Sequence, residues 1–102
     1  MFFLKVRVEK YISYEQPGFV LCTFNDVNGR KWRIVEKVPV LTAKNFQEDS
    51  LPIEGFYVAG EILSEEDNII SFSISKPWGI ETDDRETKFK IFRYQISEES
   101  SG

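Results

Sequence analysis

The side chains best able to do chemistry in this 102-residue chain are its carboxylates. Glu65, Glu66 and Asp67 form one run, and Asp83, Asp84 and Glu86 form another. Glycoside hydrolysis needs two carboxyl groups held across a cleft by rigid elements. These runs sit instead between apolar stretches, where turns belong, and the pattern puts them at opposite ends of one strand. A calcium loop alternates its carboxylates and places a glycine at the sharp turn, and neither run has that spacing. The chain has no histidine, so the commonest general base and metal ligand is missing. Its one cysteine, Cys22, excludes an intramolecular disulfide and a cysteine-based zinc site. On the apolar face of a strand, Cys22 reads as a small buried hydrophobe. Serines are plentiful, but no GxSxG elbow, no GxGxxG and no phosphate-binding GxxxxGK motif occurs. The expectation is therefore a protein that is not an enzyme, with no catalytic residues, no metal and no cofactor.

Binding is the chemistry that remains, and two groups of residues compete for it. Residues 1–45 hold eight Lys/Arg against four Asp/Glu, whereas residues 46–75 hold seven Asp/Glu and no cation. The net charge is −4. One candidate surface is acidic: Glu65, Glu66, Asp67, Asp83 and Asp84 around Trp78, with the acidic stretch 48–54 beside them. Pro77-Trp78-Gly79 sets a large aromatic between two turn residues, and tryptophan is a favoured interface anchor. An acidic rim around an apolar centre suits a basic protein partner. The alternative surface is basic: Lys5, Arg7, Lys31 and Arg33, with aromatic residues nearby in sequence. Small barrels that bind single-stranded nucleic acid combine a basic groove with aromatic stacking.

The elements that must position these groups are strands. Residues 18–38 read GFVLCTFNDV-NG-RKWRIVEKV, two β-rich runs around Asn28-Gly29, which predicts a hairpin with a type I′ turn. Val20, Cys22, Phe24, Trp32 and Ile34 share its apolar face, while Thr23, Asn25, Lys31 and Arg33 share the other. Residues 2–13 alternate Leu4, Val6 and Val8 against Lys5, Arg7 and Glu9, a first strand with a bulge or an end near Tyr11-Ile12. Glu15-Gln16-Pro17-Gly18 reads as a type II turn. Thr42 to Phe46 could form one helical turn, and residues 47–55 a polar binding loop. Residues 56–63 make a fourth strand in which Gly60 marks a kink or a close backbone approach. A turn at 64–68 leads to a fifth strand with Ile70, Phe72 and Ile74 inward. In the last strand, residues 87–96, the parity breaks between Ile91 and Phe92, which calls for a bulge or for two covered faces.

About six strands with short turns make an all-β domain. We expect a single small antiparallel β-barrel over residues 1–97 with a frayed tail at 98–102, and a β-sandwich as the alternative, since closure removes sheet edges. The run Phe2-Phe3-Leu4 is too short and too soon charged for a signal peptide or a membrane span, so a cytoplasmic protein with no membrane contact is expected. The segments WRIVEKVPVLT (Trp32 to Thr42) and KPWGIET (Lys76 to Thr82) resemble short uncharacterised bacterial β-barrel proteins. Some proteins of that kind are immunity factors that neutralise a toxin. The resemblance brings no functional residues of its own and adds weight to the interaction reading. The function expected from the sequence is a non-enzymatic protein-binding module, of immunity type, docking its acidic face on a basic partner, with an OB-like single-stranded nucleic-acid-binding domain as the alternative.

Overall fold

A computed structural model describes residues 1–13, 18–37 and 52–98. The expected helical turn at 42–46, most of the polar loop and of the Glu15–Gly18 turn, and tail residues 99–102 lie outside them. Six main strands follow one another: β1 (Phe2–Ser13), β2 (Phe19–Asn25), β3 (Lys31–Lys37), β4 (Ile53–Glu66), β5 (Ile69–Ser73) and β6 (Lys88–Phe92). A 3₁₀ turn, Arg93–Gln95, and a two-residue strand, β7 (Ile96–Ser97), follow them among the described residues.

All neighbouring strands pair antiparallel in the order β3-β2-β1-β4-β5-β6. The sheet curls into a half-barrel, so the barrel architecture holds rather than the sandwich. Two single backbone bonds join its ends: Val27 donates to the Lys90 carbonyl at 2.9 Å, and Asp83 to the Arg33 carbonyl at 3.0 Å. β1 is paired along both edges. β4 runs beside one, and β2 and β7 follow each other along the other, β7 opposite Phe3 and Leu4.

Leu4, Val6, Val8, Val20, Cys22, Phe24, Trp32, Ile34, Val58, Ile70, Phe72, Ile74, Phe89 and Ile91 form the buried cluster inside the curl. The inward face of the β2–β3 hairpin is thus the one its alternation indicates. Phe89 fastens the two halves, meeting Phe24 edge-on at 5.0 Å and Trp32 at 4.9 Å between ring centroids. Gly60 lies where β4 passes closest to β5. A methyl group there would overlap both the Phe72 ring and the Ser73 carbonyl, which is the close approach its mid-strand position suggests.

The β2–β3 turn differs from expectation. Asn28 keeps a negative φ, and Gly29 alone is left-handed at +81°. Gly29 donates to the Asp26 carbonyl, and Asp26 donates to the Arg30 carbonyl, both at 3.0 Å. This is a type I turn closed by a glycine bulge, not a type I′ turn. Asp26 causes the difference. Its Oδ1 accepts the Asn28 and Arg30 amides at 2.8 and 3.1 Å, and its Oδ2 accepts Trp32 Nε1 at 2.9 Å. A type I′ turn does occur, at Asp67-Asn68 between β4 and β5, where both residues are left-handed. At the other parity break, the 3₁₀ turn after β6 resets the face, so neither a bulge nor two covered faces is needed.

Partial burial alone would raise the Asp26 carboxyl pKa. The Trp32 indole, the two amides and the Arg30 charge together outweigh it and hold the pKa below the usual carboxylate range. A depressed folded-state pKa gives stability that is complete above the unfolded value of about 3.9 and fades as pH falls through the folded value. Asp26→Ala is therefore expected to cost about 1–2 kcal/mol at pH 7, with the gap from wild type narrowing in urea titrations as pH drops below about 4; a gap that stays constant with pH would contradict this role. Gly60→Ala is expected to lower the urea midpoint by an amount equivalent to about 2 kcal/mol, because neither the ring nor the carbonyl can yield cheaply.

Candidate nucleic-acid interface

Alternation along β1 turns Lys5, Arg7 and Glu9 outward because Leu4, Val6 and Val8 are buried. The same rule turns Thr23 and Asn25 of β2 and Lys31 and Arg33 of β3 to the same side. Register then sets their rows. Thr23 is opposite Arg7 on one side and Arg33 on the other, so the two arginines flank it about 10 Å apart. Asn25 faces Lys31 in the next row, and Lys5 faces Tyr57 of β4. The four basic residues expected from sequence are therefore brought together on one sheet face. Lys88 and Lys90 occupy the same outward parity on β6, with Phe92 third in that row.

Above this face lies a cleft of about 350 Å³, lined by Lys5, Arg7, Thr23, Lys31, Phe92 and Tyr94 among others. The 3₁₀ turn forms its wall. Gln95 holds that turn in place: its Nε2 donates to the Asn25 carbonyl and its Oε1 accepts the Phe92 amide, both at 2.8 Å. Tyr94 stacks on Phe92 with ring centroids 5.5 Å apart and planes 10° from parallel, yet it is 78% exposed. On the cleft floor, Glu9 accepts the Thr23 hydroxyl at 2.9 Å and pairs with Arg7 Nε at 3.3 Å. Thr23 is buried by this arrangement although it points outward.

The acidic residues are arranged differently. The 65–67 run lies at the β4–β5 turn, and 83–86 lies beyond the far end of β5. Five residues of strand, from Ile69 to Ser73, separate them by about 17 Å along the sheet. Both oxygens of Glu65 accept Arg93 Nη1, at 2.7 and 2.8 Å. Asp84 accepts Arg30 Nη2 at 3.0 Å, while the Arg30 guanidinium also lies 3.8 Å from the Trp32 ring centroid. Glu66, Asp67 and Asp83 are exposed. Trp78 leans on Phe3 at 6.2 Å and is 38% exposed, so it is neither a full plug nor a free flag. Phe3 shares the outward face of β1 with Lys5 and Arg7.

Tyr94, Phe92 and Gln95 are absent from the sequence-based candidates. Their signal was the parity break at Phe92, which reads as a packing problem until the turn that causes it is seen. Among the described residues, no group of three His, Cys, Asp or Glu side chains is arranged to hold a metal ion, and no helix is long and apolar enough to cross a membrane.

Cys22 is buried, and burial, then the charges of Glu36 and Glu9, push its thiol up to about 12. Native protein at pH 8 is expected to react with a disulfide reagent at the rate of global unfolding, and the unfolded chain to titrate one thiol at once; a rapid native reaction would show that β2 opens locally. No protein-family model, no curated protein and no solved structure matches the chain, so the functional reading rests on its own geometry.

Proposed function

We propose that this protein is a non-enzymatic binding module for single-stranded nucleic acid. Its site is the outer face of β1–β2–β3 and the cleft above it. The observation that carries this reading is the registered placement of Lys5, Arg7, Lys31 and Arg33 on one sheet face, beside an exposed Tyr94 stacked on a half-buried Phe92. A phosphate backbone needs spaced cations, and bases need flat apolar faces. The overall charge of −4 does not oppose this. At physiological salt the Debye length is about 8 Å, so a backbone in the cleft feels the nearby cations far more than carboxylates at the distant turns. The two carboxylates that line the cleft itself, Glu9 and Asp26, are engaged by Arg7 and by the hairpin amides and Trp32. Two of the distant carboxylates, Glu65 and Asp84, are also neutralised by their own arginines.

A second reading, an immunity-type inhibitor bound to a basic protein partner, keeps one observation in its favour: Trp78 retains enough exposed surface to act as an anchor. Its charge would come from two separated ends of β5 rather than from one rim. A cytoplasmic setting is compatible with either reading.

Fluorescence anisotropy with a labelled 12-mer of deoxythymidine tests the first reading. Neutralising three or four phosphates gives an expected slope of log K against log salt of about −2 to −3. Arg7→Ala with Lys31→Ala should weaken binding about tenfold or more and flatten that slope. Absence of binding at 50 mM salt, or equal binding by the double variant, would overturn the proposal.

A further inference from the structure

We infer that Tyr94, stacked on Phe92, is a base-stacking platform and that it makes the site selective for single strands over duplex. The inference rests on the nucleic-acid reading above and adds to it a residue, a mode of contact and a discrimination. Three observations on the 3₁₀ turn carry it. The Tyr94 ring lies nearly parallel to Phe92, so one of its faces is occupied and its orientation is set before any ligand arrives. The ring is nevertheless 78% exposed, which leaves its other face to solvent. The turn that bears it is clamped at both ends of one side chain, Gln95, to the Asn25 carbonyl and the Phe92 amide. An exposed tyrosine on a free loop would gain little from stacking, because ordering the ring and the chain would offset it. A pre-oriented ring avoids that loss.

Charge places the bases against this ring. Lys5, Arg7 and Lys31 line the same cleft as Tyr94 and Phe92. A backbone that follows the cations runs past the open face of Tyr94. Arg93, the cation nearest in sequence, is turned to Glu65 and leaves the ring unobstructed by a salt bridge of its own. The bases of a duplex are already stacked on each other, so they offer the platform no free face without unstacking. A duplex can use the cations alone.

The test uses the whole chain and three probes: the deoxythymidine 12-mer, a 12-base-pair duplex and inorganic polyphosphate. Tyr94→Ala is expected to weaken 12-mer binding by about tenfold with an unchanged salt slope, to leave polyphosphate binding unchanged and to erase the preference for the 12-mer over the duplex. Tyr94→Phe should bind the 12-mer as wild type does. The ring's exposure predicts an intact fold for both variants, and their melting temperatures check this. If Tyr94→Ala binds the 12-mer like wild type while the Arg7→Ala, Lys31→Ala variant does not, the platform is wrong and the basic site stands. If wild type binds none of the probes, both proposals fall.

Discussion

The register of β1 is the constraint on which the rest of the structure depends. β1 is hydrogen-bonded on both edges, to β4 on one and to β2 and then β7 on the other. Its inward residues, Leu4, Val6 and Val8, are essentially fully buried. Side chains in a strand alternate with a period of two, so a slip by one residue would drive Lys5 and Arg7 into the core and expose the three aliphatics. Burying two charges without partners costs several kcal/mol each, far more than a ladder can recover by re-pairing. The core therefore dictates the outer face. The same burial that forms the half-barrel lines up Arg7, Thr23 and Arg33 in one row and leaves Lys5 beside the cleft. The basic surface is a consequence of packing first.

Two polar anchors then shape the hairpin end of that surface. At the hairpin, Asp26 accepts two amides and the Trp32 indole, which fixes both the turn and the orientation of a core aromatic. Arg30 is drawn over the Trp32 ring and onto Asp84, so it is withdrawn from the cationic face. One residue before Asp26 in the chain, at the Asn25 carbonyl, Gln95 bridges the end of β2 and the chain leaving β6. That bridge turns a strand into a 3₁₀ wall and presents Tyr94 over the floor. Single exposed ion pairs contribute little to stability. Here their effect is to decide which charges remain available: Glu65 and Arg93 cancel each other, as do Asp84 and Arg30, whereas Lys5 and Lys31 stay open to the cleft.

Strict alternation made most of the core legible. The inward residues of β1, the β2–β3 hairpin and β5 follow directly from their sequences, and so does the outward basic set. The close approach at Gly60 was legible from a glycine inside an apolar strand. The turn chemistry is less legible, because the Asn28-Gly29 dipeptide by itself favours type I′ and the deciding residue, Asp26, lies outside it. Asp26-Val27-Asn28-Gly29 has aspartate at the first position and glycine at the fourth, which favours a type I turn with a left-handed glycine, and a side-chain acceptor two residues away overrode the dipeptide preference. The type I′ turn went instead to Asp67-Asn68, a pair with no glycine at all. Tyr94 escaped because its exposure depends on a long-range bond, from Gln95 to Asn25, that no local pattern encodes. The acidic runs were visible as runs, but their separation along β5 and their pairing with Arg30 and Arg93 are tertiary facts.

The central claim is that the outer face of β1–β2–β3, not the acidic turns, is the binding surface. Amide chemical-shift mapping with ¹⁵N-labelled protein and unlabelled deoxythymidine 12-mer tests it most directly. Shifts concentrated at Lys5, Arg7, Asn25, Lys31 and Tyr94, with residues 65–67 and 83–86 unmoved, are the expected result. Shifts that centre on Trp78 and the two acidic runs, or a spectrum that does not change at low salt, would contradict it.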